Sequence, residues 1–283
     1  MKITYLGTGS SEGFPAPFCQ CESCAHARAA GGKNLRFRTA VLINDDLLFD
    51  VPPDLYAATL AAGISLAAVE DFVVTHAHGD HLYVDELANL APPFSYRYGK
   101  DAGKRRLHGS LWTTGNVAVR MLGDGGRFDA YLSLFTRNAF ETFQAGKYTV
   151  TALPAKHADG RGAFLYVLTD GQKTLFYGND SGYYLDETLA WLKESGLRFD
   201  LVSFDCNSGM AHDGPQPGGA SHMTVPENIQ MKKWFLQNGC ADEKTIFVST
   251  HVSHNSHMLH EDLEAKLTPE GIVMAYDGMI LNI

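Results

Sequence analysis

Four side chains able to ligate a metal fall within six residues of this chain, in the run Thr75-His76-Ala77-His78-Gly79-Asp80-His81. The run follows the apolar residues Val73-Val74, so it reads as the turn that ends a strand. Packing gives no reason to place three imidazoles and a carboxylate there. A metal does, because neutral imidazole and carboxylate both suit Zn²⁺ or Mn²⁺. His76 and His78 can face one ion while Asp80 and His81 turn toward a second. Completing two sites requires ligands from farther along. His157, Asp180 and His251 each arrive just after an apolar stretch, at 150–153, 175–177 and 246–250.

The rest of the chain alternates the two periodicities of regular structure. Strands are predicted over 2–6, 40–43, 47–49, 72–75, 148–153, 164–168, 174–177, 201–204, 246–249 and 272–275. Helical spacing marks 55–62, 186–193, 226–236 and 260–267. Strands and helices share both halves, which predicts an α/β (α+β) chain with two sheets face to face and helices outside. No repeat or linker divides the 283 residues, so one domain over 1–283 is expected. The stretch 92–146 keeps neither period for long. It reads either as a substrate-covering insertion or as a peripheral strand and helix.

Composition narrows the classes. A chain that is 45% hydrophobic and 19% charged can bury a substantial core, which excludes general disorder. The formal charge of −9 opposes a broad basic surface, so nucleic acid is not expected as a partner. Met1-Lys2-Ile3-Thr4-Tyr5-Leu6-Gly7 breaks too early for a signal-peptide core, and no later run is long enough to span a membrane. The expectation is a cytoplasmic protein.

Three of the five cysteines lie in Cys19-Gln20-Cys21-Glu22-Ser23-Cys24, amid Pro15, Pro17 and polar residues rather than in an apolar run. Three thiolates at that spacing need one more ligand for the closed tetrahedral zinc site that serves structure. His254, three residues beyond His251, is the candidate fourth ligand, with His257 and His26 as alternatives.

The order His76-Ala77-His78-Gly79-Asp80-His81, then a strand-end His, Asp and final His, resembles the metallo-β-lactamase superfamily over nearly the whole chain. The segments Leu6-Gly7-Thr8-Gly9-Ser10-Ser11-Glu12-Gly13 and Leu48-Phe49-Asp50 are similar to superfamily positions too. The resemblance implies an αββα sandwich of two mixed sheets with metal ligands at one edge. It implies one ion on His76, His78 and His157, a second on Asp80, His81 and His251, and Asp180 bridging them. Asp50 would orient a ligand imidazole.

The early Cys triplet, Thr250-His251-Val252-Ser253-His254, Asp205-Cys206 and Tyr276-Asp277-Gly278-Met279 resemble the phosphoribosyl cyclic phosphate phosphodiesterase branch of that superfamily. That likeness implies a phosphodiesterase in which a hydroxide between two Mn or Zn ions attacks a small cyclic phosphodiester. It also implies a catalytic set of His222, Asp80 and Asp180, with His222 in Ser221-His222-Met223-Thr224 as general acid, and a homodimer. The middle region and the loop after Asp205-Cys206 differ from that branch. Other readings of the same fold are a tRNA 3′-processing nuclease, a thioester or lactam hydrolase, and a non-catalytic cofactor-biosynthesis protein, since a related pyrroloquinoline-quinone protein carries a similar triplet.

Overall fold

A computed structural model describes residues 1–97, 103–123, 125, 127–157, 162–211 and 221–283. Fourteen strands form two seven-stranded mixed sheets among the described residues. The first sheet holds β1 (Lys2–Gly7), β2 (Ala40–Ile43), β3 (Leu47–Phe49), β4 (Asp71–Val73), β5 (Arg105–Gly109), β6 (Leu132–Thr136) and β14 (Met279–Asn282), in the order β14-β1-β2-β3-β4-β5-β6. The second holds β7 (Thr142–Ala145), β8 (Tyr148–Pro154), β9 (Phe164–Thr169), β10 (Thr174–Gly178), β11 (Leu201–Asp205), β12 (Ile246–Thr250) and β13 (Ile272–Met274), in the order β13-β12-β11-β10-β9-β8-β7.

Alternation along each strand explains the layers. Ile3, Tyr5, Val41, Phe49 and Val73 face Tyr148, Tyr166, Leu175, Tyr177, Leu201 and Val248 between the sheets. The intervening residues Leu42, Leu48, Phe72 and Val74 point outward onto Leu55 and Ala58 of α2 (Leu55–Ala62) and Val117 and Met121 of α3 (Leu111–Gly123). On the far side, Phe176, Val202, Phe204 and Phe247 pack on Leu192 of α4 (Asp186–Glu194), Met231 and Phe235 of α5 (Val225–Gln237), and Leu263 of α6 (His260–Leu267). Both faces of each sheet are therefore buried, as helix-covered parallel strands require. The order of layers is helix, sheet, sheet, helix.

The ten strands and four helices read from periodicity all exist, with ends shifted by a residue or two. The middle region 92–146 carries β5, α3, β6 and β7, which extend the two sheets at one side; residues 98–102 lie outside the described residues. Its strands escaped the periodicity because β5 turns polar groups inward. Arg106 and His108 meet Asp71 there, and His108 lies flat between Phe135 and Phe143. A helix α1 (Glu22–Ala30) follows the Cys segment.

Strand direction decides where function collects. β3, β4, β5 and β6 run parallel, as do β10, β11, β12 and β13, and their C-terminal ends share one rim. Two bonds tie the sheets together at that rim: Phe164 N donates to the Thr75 carbonyl at 2.9 Å, and Tyr166 Oη to the Val74 carbonyl at 2.8 Å.

Phe176 sits between Tyr184, Phe199 and Phe235, with ring centroids 5.4–5.7 Å away. Phe176→Ala should therefore lower the free energy of unfolding by about 3–5 kcal/mol, read as a lower denaturant midpoint with an unchanged slope. A loss within a few tenths would show that this outer core does not carry the fold.

Candidate metal centre

Each residue of the site is delivered where a rim strand stops. Asp50 follows β3, the run 75–81 follows β4, His157 lies between β8 and β9, Asp180 follows β10, Asp205 ends β11 and His251 follows β12. Three of these, Asp50, Asp180 and His251, have φ of 63°, 55° and 62°, the left-handed region that non-glycine residues enter at a cost. Such backbone turns the side chain out of the strand's alternation and into the space between the sheet ends. Clustered strain of this kind is characteristic of functional sites.

Two ligand sets result. His76, His78 and His157 bring nitrogens within 4.8 Å of one another, and Asp80, His81, Asp180 and His251 do the same with nitrogen and carboxylate oxygen. Asp180 lies at the seam. Its Oδ2 is 3.4 Å from His76 Nε2 and 3.0 Å from His81 Nε2, while its Oδ1 is 3.3 Å from His157 Nδ1 and 3.6 Å from His251 Nε2. All seven side chains singled out from the sequence thus meet at one rim.

Outward hydrogen bonds aim the rings. His81 Nδ1 donates to Asp50 Oδ2 at 2.8 Å, which turns Nε2 toward Asp80 and Asp180. Asp50 also accepts from the Thr75 amide and hydroxyl, so its buried carboxylate is fully engaged. The Thr75 hydroxyl, spent on Asp50, can only accept from His76 Nδ1 at 3.1 Å. By the same reasoning Thr39 Oγ1 donates to the Gly9 carbonyl and accepts from His251 Nδ1 at 2.9 Å. His157 Nδ1 donates to the Ser221 carbonyl at 3.2 Å. Four imidazoles thereby have Nδ1 engaged and Nε2 turned inward.

For three of the rings the charges favour the same use. Burial lowers the pKa of His76, His78 and His157, helped by neighbouring imidazoles, so these rings are neutral and keep their lone pairs. Burial works against ionisation of Asp80, yet His81 beside it holds that carboxyl well below the usual range. His81 itself loses by desolvation but is raised well above its ordinary value by Asp80 and Asp50. The residues fit divalent cations on a further count: His81 Nε2 and Asp180 Oδ1 are buried without a hydrogen-bond partner, and His76 Nε2 lies 2.8 Å from His78 Nδ1. Buried polar atoms are rarely left so.

His222 closes the mouth. Its Nδ1 is 2.9 Å from Asp205 Oδ2 and 3.0 Å from Asp180 Oδ1, and its side chain is 26% exposed, so Nε2 is within reach of a bound molecule. Desolvation lowers its pKa, but Asp205 and Asp180 outweigh that and push it up to about 11. Asp205 is anchored in turn, accepting from the Asn207 and Met223 amides. The α5 start is fixed by a capping box between Thr224 and Glu227, which sets the chain two residues after His222. The loop 213–220 ahead of it lies outside the described residues.

Away from the rim, Cys19, Cys21, Cys24 and His254 form a separate set within 4.8 Å. His254 Nδ1 is 3.4 Å from both Cys19 and Cys21 sulfurs. The His254 contact and the Cys24 amide draw the Cys21 thiol down to about 6, whereas burial pushes Cys24 up to about 12. His26, 3.8 Å from Glu22, and the exposed His257 do not join this set among the described residues.

Sequence reasoning assigned no part to Thr39, to the Ser221 carbonyl or to the Asp205 carboxylate. Only Asp205 carried a signal, as another acid at a strand end. Thr39→Val keeps the shape but removes the His251 acceptor, so cation affinity of the second set should fall about 10- to 100-fold by calorimetric titration. Unchanged affinity would show that His251 is aimed by packing alone.

Residues 46–252 match the family model described as the beta-lactamase superfamily domain. A segment is 39% identical over 87 residues to an octanoyltransferase of Porphyromonas gingivalis (strain ATCC BAA-308 / W83), covering 29% of this chain and 16% of that protein. Among solved structures, a new diphosphatase from the PhnP family superposes with a TM-score of 0.75 at 22% identity, covering 100% of this chain and 97% of the other. Zn²⁺-bound PqqB from Methylobacterium extorquens gives 0.70 at 16%, with 100% of both chains covered. The short form of human tRNase Z gives 0.66 at 16%, covering 100% and 99%. With the model spanning most of the chain and the sandwich matched end to end, the chain belongs to the metallo-β-lactamase superfamily of metal-dependent hydrolases.

Proposed function

We propose that the chain is a phosphodiesterase acting on a small, cyclic phosphodiester, with His222 as its general acid. The observation that carries this reading is the His222 imidazole held by Asp205 at 2.9 Å directly against Asp180, the carboxylate that contacts members of both ligand sets. A cationic ring at that place suits an anionic substrate and can hand a proton to a departing alkoxide. Carbonyl substrates need no such positive charge in the ground state. The net charge of −9 further favours a small anion over a polynucleotide, whose binding needs extended basic surface.

His76, His78 and His157 would hold one cation, Asp80, His81 and His251 a second, with Asp180 between. When bound, such ions supply an activated water and neutralise charge on phosphate oxygens. The chain's own contribution is orientation. Asp50, Thr75, Thr39 and the Ser221 carbonyl engage the outward nitrogens, so that Nε2 of each ring is turned inward, and Asp205 keeps the proton of His222 Nδ1, leaving Nε2–H toward the leaving group. Manganese or zinc both suit this donor set, with the Cys19, Cys21, Cys24 and His254 set reserved for a structural zinc. A cytoplasmic homodimer remains part of this reading.

The test is turnover by the metal-loaded chain of a cyclic phosphodiester, an activated aryl diester, a precursor tRNA, a thioester and a lactam. Hydrolysis of the thioester or lactam with no diester cleaved would overturn the assignment. His222→Ala should slow esters with poor leaving groups by about 10²- to 10⁴-fold and activated aryl diesters far less, with metal content unchanged. Equal slowing of both would remove His222 from the acid role.

A further inference from the structure

Outside the histidine cluster, a second group of reactive side chains among the described residues stands at the start of α1. Cys21 is the N-cap residue of that helix, and its sulfur accepts from the Cys24 amide at 3.4 Å. Cys24 is buried one turn into the helix, while Cys21 is half-buried and within reach of solvent. The two are three residues apart on a helical turn, where side chains are neighbours, and their sulfurs lie within the 4.8 Å that encloses the whole set. A disulfide needs Cα atoms within about 7 Å, a condition this spacing meets. A Cys-x-x-Cys pair entering a helix puts the first sulfur at the positive helix end and the second where it can resolve an oxidised partner.

Cys19 is placed differently. It precedes the helix, and the Cys21 amide donates to its sulfur at 3.4 Å. His254 Nδ1 touches Cys19 and Cys21 equally, so any cation on the four residues depends on the sulfur that is also the most accessible one in the helical pair.

We propose that Cys21 and Cys24 are a peroxide-responsive pair, whose disulfide expels the divalent cation held by Cys19, Cys21, Cys24 and His254. The Cys21 thiolate attacks one oxygen of hydrogen peroxide, breaking the O–O bond to give a sulfenic acid and hydroxide. The Cys24 sulfur, a thiolate while it ligates the cation, then attacks the Cys21 sulfur, forming S–S and releasing a second hydroxide. The two sulfurs lose two electrons in all, peroxide gains them, and two protons from solvent convert both hydroxides to water. Two thiolate ligands are lost together, so the cation leaves with only Cys19 and His254 remaining.

The experiment uses the full chain saturated with zinc, treated with hydrogen peroxide while a chromogenic chelator reports free zinc, followed by mass mapping without reductant. Zinc release, with the peptide bearing Cys19 to Cys24 short by two hydrogens and restored by dithiothreitol, is the expected result. Cys19→Ser should still lose the two hydrogens. Cys24→Ser should instead stop at a sulfenic acid on Cys21, trapped by dimedone. Retained zinc with unchanged thiols, irreversible sulfinic acid in the unsubstituted chain, or a two-hydrogen loss in Cys24→Ser would each overturn the proposal. If that variant does not fold, fragmentation of the unsubstituted peptide to locate the bridge decides alone. None of these readouts involves hydrolysis, so they stand apart from the phosphodiesterase assignment.

Discussion

A single buried carboxylate, Asp180, organises the rim. Five imidazoles approach its two oxygens at 3.0–3.6 Å, from His76, His81, His157, His222 and His251. Burying a lone carboxylate is costly unless charge or hydrogen bonds meet it, so its presence obliges polar partners to converge. The backbone accepts a left-handed φ to put it there. That conformation is held from both sides, because Ser203 Oγ donates to Asn179 Oδ1, and the Lys156 amide to Ser181 Oγ. Strain at one residue is thus secured by ordinary hydrogen bonds at its neighbours.

The sandwich serves this arrangement through the direction of its strands. Parallel central strands in both sheets end on the same side, and the bonds from Phe164 and Tyr166 to the 74–75 backbone hold the two ends in register. Neither sheet alone has a complete ligand set. The first contributes the 76–81 run and Asp50, the second His157, Asp180 and His251, and the helix start at Thr224 steadies His222 from outside. A ligand imidazole with its far nitrogen already bonded loses little freedom when it binds a cation, so rigidity of the surrounding layers becomes selectivity at the rim.

The Cys set shows a second use of the segment that follows β12. His251 and His254 are three residues apart, one facing the rim and the other the sulfurs of Cys19 and Cys21. The Thr8 to Ser10 segment pairs through its backbone with Val252, which stands between the two in the chain. The two donor sets are therefore neighbours along the chain while remaining separate in space.

Local properties were legible in the chain alone. Alternating apolar residues marked ten strands, and the concentration of four ligands in six residues, with more at later strand ends, marked the site. β5 and β6 were illegible because their inner faces are polar or aromatic and depend on partners elsewhere: His108 needs Asp71 from β4, and Arg137 beside it, to be satisfied. The same holds for the orienting groups. Thr39 is 212 residues from His251, and Asp205 is 17 from His222, separations at which nothing in residue type signals a contact. Covalent order dictates which ligands exist and that they follow strands. Which nitrogen faces inward, and which carboxylate meets the most imidazoles, was decided only when two sheets brought distant hydrogen-bonding groups within 3 Å or so of one another, because direction in a hydrogen bond is a property of the pair.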